Sequence, residues 1–174
     1  MLIAQGNLAC VYAELGLHEP ALRMRREVYP GTLKLYGKEH PETLREGICY
    51  SSSLIDMERL DEAKKLLRRT LPVALRVLDE SHELMIRMKW NYAHTLYKNP
   101  GATLDDLREA VTTLEDTERT ARRVLGGAHP TTTGIAKCLP KARVALKLAQ
   151  ECSEIAKTLA DTTLGEEETP PDRA

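Results

Sequence analysis

Histidine and cysteine are the residue types in this 174-residue chain with the most obvious chemistry. His40, His82 and His129 occupy similar places in a pattern that repeats along the chain, and His82 follows His40 by 42 residues. The ligands of one zinc ion lie about 2 Å from the metal, whereas stacked helical units would separate these histidines by on the order of 20 Å. The sequence therefore predicts that the histidines shape turns and that the chain holds no metal.

The cysteines are Cys10, Cys49, Cys138 and Cys152, which are widely spaced and include no Cys-x-x-Cys pair. Cysteines this sparse are typical of reduced intracellular thiols rather than of a disulfide framework, which predicts a cytoplasmic location. Cys49 and Cys138 fall at corresponding places in the repeat and are expected to be buried or to line a groove. No repeat supplies a histidine that would activate a thiol nucleophile.

Acidic pairs and glycines offer no better case for catalysis. Asp61-Glu62 and Asp105-Asp106 stand at the starts of predicted helices, where carboxylates interact favourably with the positive end of the helix dipole. The sequence contains no glycine-rich phosphate loop and no zinc-helix motif. We therefore expect no catalytic residues, no cofactor and no enzyme activity.

The composition is that of one ordinary globular domain. Apolar residues make up 42% of the chain and charged residues 29%, and the formal net charge is −1. A nearly neutral chain is not drawn by its charge to nucleic acid or to an anionic membrane surface. No apolar run approaches the roughly 20 residues that cross a bilayer, and the N-terminus lacks the pattern of a signal peptide. We expect neither a nucleic-acid partner nor a membrane partner.

The elements that would position a site recur every 42 residues. One such step leads from Ala21 to Ala63, and two steps lead from Asn7 through Cys49 to Asn91. A fixed period that carries helical patterns indicates units that stack on their neighbours. The predicted fold is all-α: a right-handed α-solenoid of about three helical hairpins plus a C-terminal capping helix.

The predicted domain covers residues 1–162, and residues 163–174, which are rich in Glu and Pro, are predicted to form a disordered acidic tail. Within the domain, the repeats are expected at about 1–37, 38–79 and 80–126, with the cap at 129–162.

Apolar spacing predicts which helix faces are buried. In the first helix the expected buried face is Leu2, Leu8, Ala9, Val11, Tyr12 and Leu15. In the cap the expected stripe is Ala142, Ala145, Leu146, Ala149, Cys152, Ile155, Ala156 and Leu159.

A family resemblance rests on the first two units. The first helix carries the run NLACVY at residues 7–12, followed by Gly16 and Ala21, and the second unit opens with a His-Pro-x-Thr turn at residues 40–43. With the 42-residue period, these features resemble the tetratricopeptide repeats of kinesin light chains. The resemblance implies that the first helix of each hairpin lines a concave groove that binds extended peptides. A repeated Asn would hydrogen-bond the peptide backbone there, a role that falls here to Asn7 and Asn91.

Projection of the first helices places a largely cationic set of side chains on the expected groove, together with Cys10 and Glu14. The predicted function is a non-catalytic scaffold that binds a partner peptide, acidic or otherwise, with Arg and Lys as anion contacts and Trp90 as an apolar contact. The other interpretation is that these charges only solvate exposed helix faces. The predicted groove residues are Asn7, Arg45, Cys49, Ser52, Arg87, Trp90, Asn91, His94, Lys98, Lys137 and Lys141.

Two other functions compete with peptide binding. The chain could be a structural or self-associating fragment of a larger repeat protein, because the first helix lacks a preceding turn and its open N-terminal end could pair with another copy. A helical-repeat RNA binder is the less favoured alternative, because such repeats read bases with units near 35 residues and a basic surface.

Overall fold

The computed structural model of the protein describes residues 1–166, and within them it contains seven α-helices and no strand. The all-α repeat fold predicted from the 42-residue period is therefore confirmed. The helices are α1 (Leu2–Glu14), α2 (His18–Tyr36), α3 (Pro41–Asp56), α4 (Leu60–Val77), α5 (Glu83–Lys98), α6 (Leu104–Val124) and α7 (Pro130–Glu166).

The helices stack as three hairpins followed by one further helix. Each helix packs against the next along the chain, and α1 also contacts α3, α3 contacts α5, and α5 contacts α7. The backbones of α2, α4 and α6 do not pack against one another in the part of the chain that the structure describes, although side chains link α4 to α6. The odd-numbered helices therefore form the closely spaced inner row of the stack, and the even-numbered helices form the outer row.

The three histidines cap helices, as their repeated position predicted. In each case the side-chain Nδ1 accepts a hydrogen bond from the backbone N–H two residues further on, at 3.2 Å for His40, 3.1 Å for His82 and 3.2 Å for His129. Each bond satisfies one of the backbone donors that a helix leaves unpaired in its first turn. The histidines thus define where α3, α5 and α7 begin.

The core combines small residues, where helices approach closely, with branched residues between hairpins. Ala21, Ala63 and Ala110, one in each outer helix, have no exposed surface. An alanine at these positions lets the two helices of a hairpin approach without a cavity. The main apolar cluster is centred on α3, α5 and α7 and includes Leu44, Ile48, Leu67, Met85, Ile86, Met88, Leu96, Leu114 and Ile135.

A charged group joins α4 to α6. The Asp106 carboxylate accepts hydrogen bonds from Lys64 Nζ, at 2.8 Å to each oxygen, and from Arg68 Nη2 at 3.3 Å. The same carboxylate accepts from the backbone N–H of Thr103, whose hydroxyl accepts from the N–H of Asp106. Asp106 therefore serves at once as part of the α6 capping box and as the link between two outer helices.

Helix α1 buries only part of the face that its apolar spacing predicted: Ala9 is buried and Leu2 and Tyr12 are half-buried. Leu8, Val11 and Leu15 are 44%, 48% and 68% exposed, and the buried residues are Gly6 and Ala9. The prediction was wrong for Leu8, Val11 and Leu15, because no described helix covers these three side chains.

The last helix is longer and less covered than the predicted cap. Helix α7 has 37 residues, about 55 Å at 1.5 Å per residue, and extends well beyond the 21-residue α6. Ala142 is buried, but Ile155 and Leu159 are 60% and 62% exposed, so the second half of the predicted stripe is not part of the core. Residues 163–166 are helical rather than disordered, and the rest of the predicted acidic tail lies outside the described residues.

None of the seven described helices combines the length and the apolar character that crossing a membrane requires.

Candidate functional site

The inner row of helices contains a cavity of about 220 Å³ between α3 and α5. Five of the eleven predicted groove residues line it, because successive exposed residues three or four apart fall on one side of a helix. Its lining residues are Ser52, Ile55 and Asp56 from α3 and Arg87, Trp90, Asn91 and His94 from α5.

Asn91 is held by the helix that faces it across the cavity. Its Nδ2 donates to Ser52 Oγ at 2.9 Å, to Ser51 Oγ at 3.0 Å and to the Ile48 carbonyl at 3.4 Å. The donor side of the amide is therefore committed to α3. The Oδ1 atom accepts no hydrogen bond from the described residues, so it is the atom of Asn91 that can accept one from a ligand N–H.

Trp90, the only tryptophan of the chain, is fixed from the side of α7. Its Nε1 donates to Cys138 Sγ at 3.4 Å. A Cβ atom placed on Gly134 would lie 2.5 Å from Cη2 of the indole, so glycine is what allows the ring to pack there. The half-buried indole thus presents a fixed apolar surface to the cavity.

His94 is neutral at physiological pH. Burial, together with the positive charges of Lys98 and Lys141, lowers its pKa to about 4. Its imidazole lies 5.3 Å from the Tyr97 ring, centroid to centroid. At pH 7 the cavity therefore offers an uncharged imidazole beside two ammonium groups.

Lowering the pH below 6.5 is expected to destabilise the fold through His94. The unfolded chain takes up a proton at this residue near pH 6.5, but the folded chain takes it up only near pH 4, so stability falls as the pH falls through that window. Urea unfolding at about pH 7 and about pH 5 measures the effect. The loss should be smaller in His94→Gln than in the unmodified chain, and equal losses in the two proteins would contradict the assignment.

Four of the five predicted groove cations have no ion-pair partner. Arg87, Lys98, Lys137 and Lys141 form no salt bridge and donate no hydrogen bond among the residues that the structure describes. Lys98, Lys137 and Lys141 are exposed and Arg87 is half-buried. These four side chains are therefore available to an anionic group near the cavity.

The fifth predicted cation, Arg45, is already paired. Its Nε donates to Glu42 Oε2 at 3.1 Å, and its Nη2 lies 3.2 Å from the buried Glu46 carboxylate. The hydrogen bond that Arg45 donates to Glu42 and the charges of Glu42 and Glu46 raise the pKa of Arg45 despite its partial burial. Because two carboxylates neutralise it, Arg45 is not among the free anion contacts.

The remaining predicted residues lie near the N-terminal end of the inner row. Asn7 is exposed on α1, and Cys49 is only 9% exposed on α3. Helix α1 contributes no side chain to the cavity between α3 and α5. The predicted groove thus divides into the cavity with its nearby cations and a separate N-terminal part.

Two cavity residues were not among those predicted. Ile55 and Asp56 line the cavity beside Ser52, and their spacing of three and four residues from Ser52 is the signal that could have identified them. Burial raises the pKa of Asp56, and the charges of His18 and Arg25 act against that rise. The Asp56 carboxylate lies 3.7 Å from His18 Nδ1. The α3 side of the cavity thus has one carboxyl group, that of Asp56.

Comparison with known proteins supports the repeat found in the sequence. A family model described as a tetratricopeptide repeat matches residues 2–42. A search among curated proteins found no match to this chain.

Solved structures with similar architecture span the whole chain. One is BtubC (BKLC) from P. vanneervenii, which has 14% sequence identity and a TM-score of 0.64 over 99% of this chain and 68% of that one. Another contains the nearly identical TPR-like repeats of a putative kinesin light chain from Podosopora anserina, with 17% identity and a TM-score of 0.49 over 97% of both chains.

The match to BtubC shows a shared fold, and the family model identifies the first unit. The resemblance to tetratricopeptide repeats, which rested on residues 7–12 and the His-Pro turn, is confirmed. Residues 2–42 match the tetratricopeptide-repeat model, and the chain as a whole shares the helical-repeat fold of BtubC.

Proposed function

We propose that this chain is a non-catalytic scaffold that binds an acidic peptide segment of a partner protein on its inner surface. The observation that carries the proposal is the cavity between α3 and α5, which has a free amide oxygen on Asn91 and is lined by Arg87, with Lys98 and Lys141 near its His94. None of these three cations has an ion-pair partner among the described residues. Tetratricopeptide repeats are generally protein-interaction modules, and the acidic character of the ligand is inferred from those charges.

The site favours an extended backbone because of how its polar atoms are arranged. Asn91 Oδ1 is left to accept one peptide N–H, since its Nδ2 is committed to α3. An apolar ligand side chain would pack on the Trp90 indole and Ile55, both of which line the cavity. Pairing a free backbone donor with a fixed acceptor selects a peptide over a purely apolar ligand.

The positions of the charges determine towards which helix the acidic side chains of a bound peptide would lie. Lys98, at the C-terminal end of α5, and Lys137 and Lys141 on α7 lie towards the later repeats, whereas Asp56 lies on the α3 side. A ligand carboxylate is therefore attracted towards α7 and repelled from Asp56. Arg87 adds a planar guanidinium that can bind a carboxylate through two parallel hydrogen bonds.

The single tryptophan provides a direct binding test, because Trp90 lines the cavity. An acidic peptide with one apolar residue is titrated against the protein at physiological salt, and the same peptide with amide side chains serves as the neutral ligand. Binding of the acidic peptide should change Trp90 fluorescence. Arg87→Glu and Asn91→Ala should each weaken the affinity about tenfold or more.

Arg23→Glu is the matched control, since Arg23 is an exposed arginine of α2, in the outer row, without an ion pair among the described residues. Its affinity should equal that of the unmodified chain. Undiminished binding in both cavity variants, or equal affinity for the acidic and the neutral peptide, would exclude this site.

Self-association is the second candidate function, and the exposed aliphatic face of α1 favours it. Leu8, Val11 and Leu15 form a stripe without a described partner, which another copy of the chain could cover. Light scattering at increasing protein concentration distinguishes a monomer from a growing assembly. A cytoplasmic location and the lack of nucleic-acid binding remain predictions.

A further inference from the structure

Two cysteines occupy equivalent, facing positions at the N-terminal end of the inner row. Asn91 on α5 donates to Ser52 on α3 across 2.9 Å. One 42-residue step earlier, Cys49 takes the place of Asn91 and Cys10 takes the place of Ser52. Helix α1 also contacts α3, over a shorter stretch than α3 contacts α5. The repeat thus sets the two thiols opposite each other, where the next unit has a hydrogen-bonded pair of side chains.

A buried arginine points at this pair. Arg25 on α2 is only 4% exposed, and its Nη2 donates to Cys10 Sγ at 3.4 Å. Its Nε has no hydrogen-bond partner in the described structure. Burying a guanidinium without full pairing is costly, so this side chain is held against the sulfur by the packing of α2.

The surroundings of Cys49 also reflect the closeness of the two sulfurs. Burial raises the pKa of the Cys49 thiol, and the charges of Arg25 and Arg87 oppose that rise. The negative charge of an ionised Cys10 raises the pKa of Cys49 further. Cys10 is the more exposed of the two, so a reagent from solution reaches Cys10 first.

We propose that Cys10 and Cys49 are a redox-active pair that forms a reversible disulfide between α1 and α3. Cys10, as its thiolate, attacks one sulfur of a low-molecular-weight disulfide and displaces the other half as a thiolate. Cys49 then gives up its proton and attacks Cys10 Sγ, which releases the second half. Two protein thiols are oxidised and one small disulfide is reduced to two thiols.

The bridge would act on the least supported hairpin. Among the described helices, only α2 and α3 contact α1, and its Leu8 and Val11 are exposed. A covalent link from residue 10 to residue 49 closes a loop that contains all of α2. Closing a loop of this length stabilises the folded hairpin relative to its opened form.

The full-length chain carrying Cys152→Ser is the protein for the test, because the exposed Cys152 would otherwise link separate molecules. The folded protein is treated with glutathione disulfide and analysed by mass spectrometry and thermal unfolding. The intact mass should fall by about 2 Da without a retained glutathione adduct. Tryptic peptides 1–23 and 46–59 should be joined, and Tm should rise by about 8 °C, a rise that dithiothreitol reverses.

Cys10→Ser and Cys49→Ser, made in the same background, should each lose the mass decrease and the rise in Tm. Cys138→Ser should keep both the mass decrease and the rise in Tm, because Cys138 lies on α7 and packs on Trp90, away from α1. A stable glutathione adduct on Cys10 with no bridge, or a bridge that includes Cys138, would overturn the proposal. If a serine variant folds poorly, the peptide map of the parent protein alone decides between these outcomes.

Discussion

Replacing Asp106 by alanine is expected to lower the free energy of unfolding by about 3 kcal/mol. The carboxylate is 9% exposed and its main partner, Lys64, is 17% exposed. Truncation leaves that ammonium group poorly solvated and without its counter-charge. It also removes one half of the capping box with Thr103. The effect combines a broken, partly buried ion pair with a lost helix cap.

Asp105→Ala is the matched control for this prediction. Asp105 lies in the same first turn of α6, but it is 90% exposed and pairs only with Arg108, so its loss should change stability by less than about 0.5 kcal/mol. Urea unfolding followed by circular dichroism measures both variants. Similar losses for Asp105→Ala and Asp106→Ala would show that the link between α4 and α6 does not stabilise the stack.

Gly134→Val should cost about 3 kcal/mol through a clash with the indole. A Cβ atom at this position would lie 2.5 Å from Trp90 Cη2 and 2.7 Å from Cζ2. The ring cannot move freely, because its Nε1 donates a hydrogen bond to Cys138 Sγ. The separation of α5 and α7, or the indole itself, must therefore change. Because Trp90 lines the cavity, its fluorescence should change together with the loss of stability.

Two further variants separate the clash from a general effect of valine. Gly101→Val is the control, since its nearest neighbour would be Asn99 Oδ1 at 3.5 Å, and it should cost less than about 0.5 kcal/mol. Adding Trp90→Leu to Gly134→Val should recover part of the loss, because the shorter side chain leaves room. A double variant as unstable as the sum of the two single variants would contradict direct contact as the cause.

The clash with Gly134 also bears on the proposed binding site. Trp90 presents its apolar surface to the cavity only while Gly134 and Cys138 of α7 hold the ring. An indole displaced by valine would alter the surface against which an apolar ligand side chain packs. Gly134→Val therefore tests whether α7, which supplies Lys137 and Lys141, also positions the uncharged part of the site.

The 42-residue period predicted the helical hairpins, and the projected helix faces predicted five of the seven residues that line the cavity. The period placed His40, His82 and His129 at helix starts, where each accepts a backbone hydrogen bond. Ser52 and Asn91 were both predicted to lie on the groove, and the structure shows that they face each other across it. These features depend on local capping and on nearest neighbours, both of which recur with the repeat.

Features that depend on which surfaces meet could not be read from spacing. The aliphatic faces of α1 and of the second half of α7 have the same pattern as buried stripes, yet Leu15 and Ile155 are exposed because no described helix covers them. The link from Lys64 to Asp106 and the fit of Gly134 against Trp90 join residues on different helices. Periodicity determines which side chains share a face, but burial and pairing depend on the distance to the neighbouring helix.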